Sequence, residues 1–465
     1  MTDLEGTART LIARKRHHSA IIETLANLYL FHKEISTENA EALADAVLEE
    51  VEASLKVASS EDGRFLHTYL SGVKMGEQGV GSRGSGDEFV HKLIAEICQP
   101  QQAHIELSPQ DHDDAGAVTI LETRDEESSG GKWTLVSAID GMHSRLSEYG
   151  FIAGFHCTRA ALRDILVKGA TPAAILVDIH LADDADVSKL LDFMGGCQAV
   201  AELSHVPIVA GSTLRIGGDM VLGDRMTGGS AAIGVSKDPL FTRRGVQVGD
   251  KILMTTGSGG GTICTAAIFA AYEGVIEETL NIDFINASRL IISKDLRNYI
   301  HAATDVTNGG VRGDAIEISK IANLGLVFNR EAVLGVINPK VLHMLEKLHI
   351  DPLGVSIDSL MLFSDELGSK KIIEKFQENS MTLCEVGEVI KSPIGVFESK
   401  EGTLEPFERQ FREAAYTPLK KAIGTRKPGN KAEMERKLTK AQKAVQKKVN
   451  DVISLILRRK DNAMA

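Results

Sequence analysis

Three short stretches concentrate acids beside turns. DHDDAGAV (111–118) gathers Asp111, His112, Asp113 and Asp114 at the start of a β-like run. SAIDGMHS (137–144) ends an apolar strand pattern on Asp140, and ATDVTNGGV (303–311) sets Asp305 before a Gly-Gly turn and a helical pattern. Carboxylates at strand ends suit a divalent cation, because magnesium takes a few carboxylate oxygens and fills its shell with phosphate oxygens and water. Taken one by one, each acid reads as a helix cap or a turn residue. His112 and His143 flank two of these sites; they fit acid–base work near neutral pH or plain turn positions.

Two glycine-rich stretches accompany the acids. SGVKMGEQGVGSRGSGDEF (71–89) precedes the helical pattern FVHKLIAEI, and GVQVGDKILMTTGSGGGT (245–262) runs from a strand through a glycine turn toward a helix. Backbone N–H groups of such loops can wrap phosphates; the first stretch serves equally well as a linker.

The elements that must carry these residues follow from periodicity. HSAIIETLANLYLFHK and TENAEALADAVLEEVEASL have helical spacing, with Thr37 as the expected N-cap. AVTILET and WTLVSAID form a hairpin-like pair. HCTRAALRDILVKGA is a helix closed by Gly169, AAILVDIHL a strand, and VSKLLDFMGGCQAVAELS a helix expected to break at Gly195-Gly196. Strands PIVAGSTLRI and SAAIGVSK end this unit. A second unit holds the strand KILMTTG, helices at 286–299 and 310–322, and strands GLVFN, SLMLFS, CEVGEVI and IGVFES. The last helix repeats Leu438, Val445, Val449, Val452 and Ile456 near heptad spacing.

With 465 residues, the chain exceeds one core and divides into several domains. The expected bounds are a helical extension (1–70), the glycine-rich loop with a short helix (71–110), two α+β units (111–240 and 241–400), and a basic linker with an amphipathic helix (401–465). Five scattered cysteines without CxxC or zinc spacing read as reduced thiols of a cytoplasmic protein. Neither a signal peptide nor a membrane span is expected. Net charge is −12, yet residues 420–465 hold 14 Lys/Arg against four Asp/Glu. A basic helix of this kind binds nucleic acid or a protein partner, or is solvated with its seam on the acidic body.

Six motifs in order, across 111–400, give a resemblance. DDAGAV, LVSAIDGM, TRAALRDILVKGATPAAILVDIHL, GGCQAVAELSHVPIVAGSTL, GVQVGDKILMTTGSGGGT and ATDVTNGGVRGDAIEIS resemble the superfamily of aminoimidazole ribonucleotide (AIR) synthetase. That superfamily includes thiamine-phosphate kinase, selenophosphate synthetase and the hydrogenase-maturation protein HypE. The resemblance implies an α+β, PurM-like two-domain fold. Its N-terminal half forms a β-barrel on dimerising, and an α/β sandwich half follows. It also implies a homodimer and an ATP- and Mg²⁺-dependent phosphotransferase or synthetase that activates an oxygen of a small molecule. Under it, Asp113, Asp114, Asp140 and Asp305 hold metal. Asp164 matches the second acid of an Asn-Asp pair at the cofactor. Lys74, Gly79, Gly81, Arg83 and Gly84 belong to a phosphate-covering segment, and Gly257, Gly259, Gly260, Gly261, Asn308, Gly309 and Gly310 shape the cleft.

Some residues depart from the pattern. Gly211-Ser212-Thr213 replaces Gly-Asp-Thr, with Asp219 or Asp224 as a substitute acid or a turn residue. Arg163 replaces Asn and is expected to bind phosphate or a carboxylate, with poor geometry toward its neighbour Asp164. Cys98 follows the glycine loop instead of preceding it. These departures leave a second reading, a non-catalytic nucleotide-binding scaffold or sensor, and a weaker third, a nucleic-acid-associated protein.

Overall fold

The structure is a computed structural model that describes residues 2–58, 69–80, 84–98, 105–121, 133–217, 220–307, 309–400, 403–407, 411 and 426–464. At the N-terminus, a short strand β1 (Thr2–Asp3) leads into helices α1 (Leu4–Ala13), α2 (His18–His32) and α3 (Thr37–Ala58). They close over Leu4, Ala8, Leu25, Tyr29, Ala44 and Leu48. Asp3 caps α1 by accepting from the Gly6 N–H at 2.8 Å. The cap of α3 is Ser36 and not Thr37, since Ser36 Oγ accepts from the Asn39 N–H at 3.2 Å and its carbonyl accepts from Ala40. Strand β1 pairs with β7 (Val221–Leu222), and Lys33 meets Asp183 and Asp184, so this unit is tied to the body.

Two further helices follow in the chain, α4 (Met75–Gln78) and α5 (Ser85–Ile97). The first sheet has the order β2 (Ile105–Leu107), β3 (Gly116–Leu121), β4 (Trp133–Gly141), β8 (Met226–Ser236), β5 (Thr171–Leu181) and β6 (Ile208–Arg215). The expected hairpin is present, with Gly116 opposite Ser137 in the antiparallel pair β3–β4. Helix α6 (Gly150–Val167) and helix α7 (Val187–Ser204) cover one face, packed on Ile175, Val177 and Ile179. The opposite face leaves Val118, Ile139 and Leu214 exposed, with Ile139 at 75%.

The break expected at Gly195-Gly196 does not occur: α7 runs through both. A Cβ on Gly196 would run into the Phe151 carbonyl of α6, and one on Gly154 into the Phe193 carbonyl of α7. The glycines let two helix backbones touch. Gly196→Val is therefore expected to lower stability by about 1–3 kcal/mol through overpacking, read from the urea midpoint, whereas Gly195→Ala, whose Cβ meets only the Phe151 ring edge, changes it little.

The second sheet has the order β10 (Ala302–Val306), β12 (Ser359–Ser364), β9 (Lys251–Thr255), β13 (Leu383–Ile390), β11 (Gly325–Phe328), β14 (Gly395–Lys400) and β15 (Thr403–Pro406). Successive residues of β9 and β12 alternate between two cores. Met254, Met361 and Phe363 face α8 (Gly261–Phe269), α12 (Gly310–Ala322) and α14 (Pro339–Lys347); α9 (Glu273–Thr279) and α13 (Arg330–Gly335) join that layer. Leu253, Leu360 and Leu362 face α10 (Asp283–Ile292) and α15 (Glu366–Glu378), together with Val167 from the first half and Phe241 from the segment between the halves. The helix expected over 286–299 is two helices, α10 and α11 (Lys294–Arg297), separated at Ser293.

The C-terminal helix α16 (Lys431–Met464) packs on α5 through a face that takes in only part of the heptad seam, with Leu438 half-buried between Met434 and Gln442. Met434 and Gln442 are the buried residues there, and Gln442 donates to Glu96 at 3.0 Å, while Val445 and Val449 are exposed. Spacing predicts the helix correctly, but a polar Gln side chain with a carboxylate partner takes the inward position. All five cysteines are free thiols, and no described helix is long and apolar enough to cross a membrane.

Candidate functional site

Helix α6 carries the centre of the site. It is buried nearly all round, and it places Arg159 and Arg163 one turn apart on a buried face, with Asp164 beside them and Lys168 as its C-cap. Residues four apart on a helix share a face, so two guanidinium groups enter the same space between the two halves.

Arg163 is the hub. Its Nη1 donates to Asp358 at 2.8 Å, its Nη2 reaches Asp164 at 3.2 Å and Asp140 at 3.7 Å, and its Nε meets Asp305. The end of β4, the end of β10, α6 and the turn before β12 thus converge on one side chain. The expectation of poor geometry between Arg163 and Asp164 is corrected: the side chains curl together at the helix surface and both Nε and Nη2 reach the same Asp164 oxygen. Arg159 pairs with Asp358 at 2.5 Å and donates to the carbonyls of Thr279, Gly259 and Asn281.

The Gly257–Gly261 turn closes this cluster. The Gly259 N–H donates to the Ile357 carbonyl at 2.8 Å, with Gly259 in the left-handed region at φ +78°. A Cβ on Gly260 would press on the Arg159 guanidinium, and Gly261 faces His143 and His156. His143 shares a hydrogen bond with Thr265 Oγ1 at 3.0 Å. Burial, followed by the charge of Arg159, lowers the pKa of His156 to about 3, so this imidazole is neutral. At the far side, α12 begins at Gly310, whose Cβ would run into the Leu353 carbonyl. Just before it, the buried Thr307 Oγ1 has no hydrogen-bond partner among the described residues.

Asp113 and Asp114 occupy a neighbouring pocket of charge. Lys168, fully buried, meets Asp113 at 2.6 Å and Asp114 at 2.9 Å, and it also donates to the Ala303 carbonyl at 2.9 Å. Arg243 meets Asp114 at 2.6 Å, Glu317 at 2.7 Å and Asp314 at 3.3 Å, and it donates to the His112 carbonyl at 3.0 Å. Thr304 Oγ1 donates to Asp114 at 3.0 Å. Burial alone would lower the Lys168 ammonium, but Asp113 and Asp114 hold it above its ordinary value.

Burial pushes the Asp164 carboxyl well above the usual carboxylate range. Arg163 opposes this, while Asp140, Asp305 and Asp114 add to it. The sign follows directly: a raised acid favours the folded state at low pH and disfavours it as pH rises through the folded value. Asp164→Asn is therefore expected to raise the thermal midpoint of the ligand-free protein at pH 8 and to leave it nearly unchanged at pH 4.

The residues expected at the site from sequence fall into separate groups. Asp140, Asp164, Asp305, Arg163, Gly257, Gly259, Gly260 and Gly261 form one cluster, with His143 at its edge and Gly309-Gly310 opening α12 nearby. The acids Asp113 and Asp114 lie in the adjoining pocket, and His112 adds its carbonyl there from a left-handed backbone at φ +47°. Lys74 is exposed, Gly79 has φ +77°, and Gly84 caps α5. The contacts of that segment run to Phe411 and, through Glu88, to Lys320 of α12. Gly81, Arg83, Asn308 and Asp219 fall outside the described residues. Asp224, the other substitute acid, pairs with Lys189 on the surface at 2.7 Å. Sequence reasoning misses Arg159, Lys168, Arg243 and Asp358. The Arg159/Arg163 spacing on an apolar helix is a visible signal; so is Asp358 before the apolar strand SLMLFS, where it takes the left-handed backbone, φ +54°, that non-glycine residues adopt at strained sites.

Residues 112–235 match the N-terminal domain profile, and residues 247–400 the C-terminal domain profile, of AIR synthase related protein. A protein of Methanocaldococcus jannaschii is 47% identical over 99% of both chains. The chain belongs to the AIR synthase-related family. Its matched domains coincide with the two sheets described above, in a PurM-like arrangement.

Among enzymes of the family, selenide, water dikinase of Rhizobium meliloti is 31% identical over 37% of this chain and 48% of that one. Phosphoribosylformylglycinamidine cyclo-ligase of Polaromonas sp. is 30% identical over 27% and 37%. The chain thus spans half or less of these two enzymes. Among solved structures, HypE in the HypE–HypF complex aligns with TM-score 0.53 at 20% identity, covering 69% of this chain and 99% of that one. ThiL in complex with AMPPCP and TMP aligns with TM-score 0.51 at 16% identity, covering 70% and 95%. At these identities the structures establish the shared fold.

Proposed function

We propose that this AIR synthase-related protein binds ATP in the cleft between its two halves and transfers a phosphoryl group to an oxygen of a small molecule, or activates that oxygen by phosphorylation. The observation that carries the reading is the convergence of Asp140, Asp164 and Asp305 on Arg163, facing the Gly257–Gly261 turn and the start of α12. Helix α12 opens on Gly309-Gly310, with the Gly310 N–H turned back to the Thr307 carbonyl at 2.7 Å and the Arg312 N–H to the Leu353 carbonyl at 3.1 Å, and beside it the buried Thr307 hydroxyl, unpartnered among the described residues, is a polar group in need of a ligand.

Phosphoryl transfer needs alignment and charge neutralisation more than covalent help. Arg163 and Arg159 supply fixed positive charge, and the two glycine turns shape backbone around the phosphates. The acids do not fit a metal held by protein ligands alone, because Lys168 and Arg243 engage Asp113 and Asp114, and Arg163 engages Asp305. They fit magnesium carried in on the nucleotide phosphates, with the part-exposed Asp140 as the carboxylate that meets it. A divalent ion in that place would neutralise phosphate charge as the bond to the leaving group breaks.

Calorimetry tests this. Wild type is expected to bind Mg-ATP, and Asp140→Asn to weaken Mg-ATP by roughly tenfold or more while leaving metal-free ATP unaffected. Equal Mg-ATP affinity in the variant would remove the role of Asp140. Absence of ATP binding by wild type would remove the proposed function. Mg-ATP binding without turnover across a metabolite panel would favour the scaffold reading, which Arg163 in place of Asn supports. We also propose a homodimer through the exposed face of the first sheet, where Ile139 is 75% exposed; Ile139→Asp is expected to shift the protein to monomer in light scattering.

A further inference from the structure

Every acid that the family pattern marks for metal is met by a cationic side chain of this chain. Asp113 and Asp114 share Lys168 and Arg243. Asp305 and Asp140 share Arg163, which also reaches Asp164 and Asp358. A guanidinium has five N–H donors in one plane and no acceptor, and it keeps its charge at any working pH. It therefore satisfies several carboxylates at once, as a divalent ion would, and it competes for the same oxygens. Arg163 is held for this task. Its side chain is 11% exposed, it stands on a helix buried along most of its length, and it is flanked by Arg159, which fixes the far oxygen of Asp358 at 2.5 Å.

We propose that Arg163 is a built-in cation that takes the place of a protein-held metal ion among Asp140, Asp164, Asp305 and Asp358. The ligand-free chain then binds no divalent ion in this cluster, and removing the guanidinium opens a site for one. The only part of this that rests on the proposed function is the arrival of an ion with the nucleotide.

The decisive measurement is a titration of the full-length protein with Mn²⁺ alone, followed by electron paramagnetic resonance, with no nucleotide present. Wild type is expected to show no cluster-bound Mn²⁺ below about 1 mM. Arg163→Asn is expected to bind Mn²⁺ about tenfold or more tightly than wild type, and Mn²⁺ is expected to raise its thermal midpoint while leaving that of wild type in place.

Micromolar Mn²⁺ binding by wild type, lost on Asp140→Asn with Asp305→Asn, would overturn the proposal, as would equal Mn²⁺ affinity in wild type and Arg163→Asn. Should Arg163→Asn fold only when Mn²⁺ is supplied during expression, that rescue supports the exchange of cations. Should it fold under neither condition, the wild-type titration still decides. A separate addition of ATP to wild type distinguishes the two readings, since lack of ATP binding would remove the proposed function and leave the Mn²⁺ result standing.

Discussion

Arg243→Met is expected to lower stability by about 3–5 kcal/mol, the range for removing one partner of a buried ionic network. Arg244→Met, one residue on, is expected to change it by less than about 1 kcal/mol. The contrast comes from surroundings. Arg244 is 65% exposed and pairs with Asp111 at the surface. Arg243 is 2% exposed and serves Asp114, Asp314, Glu317, Thr304 and the His112 carbonyl together. Its own N–H also donates to Asp113 at 3.1 Å. Methionine fills the volume and leaves the buried Asp314 and the part-exposed Glu317 of α12 without their guanidinium.

The network spans both family domains, so its loss acts on their docking as well as on total stability. Asp113 and Asp114 come from the first half, Asp314 and Glu317 from the second, and Arg243 from the segment between. Urea denaturation followed by two probes checks this: the transitions are expected to coincide in wild type and to separate in Arg243→Met, a departure from two-state behaviour. A double-mutant cycle with Asp114→Asn measures the pair directly, and a coupling energy near zero would contradict the network.

Much of the site is legible in the order of residues alone. Strand-end acids at Asp140 and Asp305, the glycine turn at 257–261, and Asp164 on a helix all follow from local patterns, and they do meet. What local pattern does not show is what neutralises them. Lys168 lies 55 residues from Asp113 and Arg243 lies 129 from Asp114, so their pairing depends on how β10 and α6 pack. Read without partners, DHDDAGAV looks like an open ligand set; in the fold Asp113 and Asp114 are held by two buried cations, and Asp111 pairs with Arg244 at the surface. Arg163 is the reverse case. The substitution is visible in the motif, but the four acids around it come together only through the placement of β4, β10 and the turn before β12. The exposure of Val445 and Val449 in the seam of α16 has a related reason, because apolar spacing does not weigh the Gln442–Glu96 pair that sets which way the helix turns.

Asp358→Asn is the second large effect, again about 3–5 kcal/mol at pH 7, and its pH dependence separates it from its neighbour. Burial alone would raise the Asp358 carboxyl, but Arg159 and Arg163 beside it hold it below its ordinary value of 3.8. A depressed carboxylate contributes its full stabilisation above the unfolded value and loses it as pH falls through the folded one. The gap between wild type and Asp358→Asn is thus expected to be constant from pH 7 to about pH 5 and to shrink below the ordinary value. Asp164 has the opposite sign, raised by the same burial because its share of Arg163 is outweighed by burial together with the charges of Asp140, Asp305 and Asp114. Two acids on one guanidinium then respond oppositely to replacement by Asn at pH 8, one destabilising and one stabilising. Thermal midpoints of the two variants across pH 4–8 test this, and matching signs at pH 8 would contradict the charge balance around Arg163.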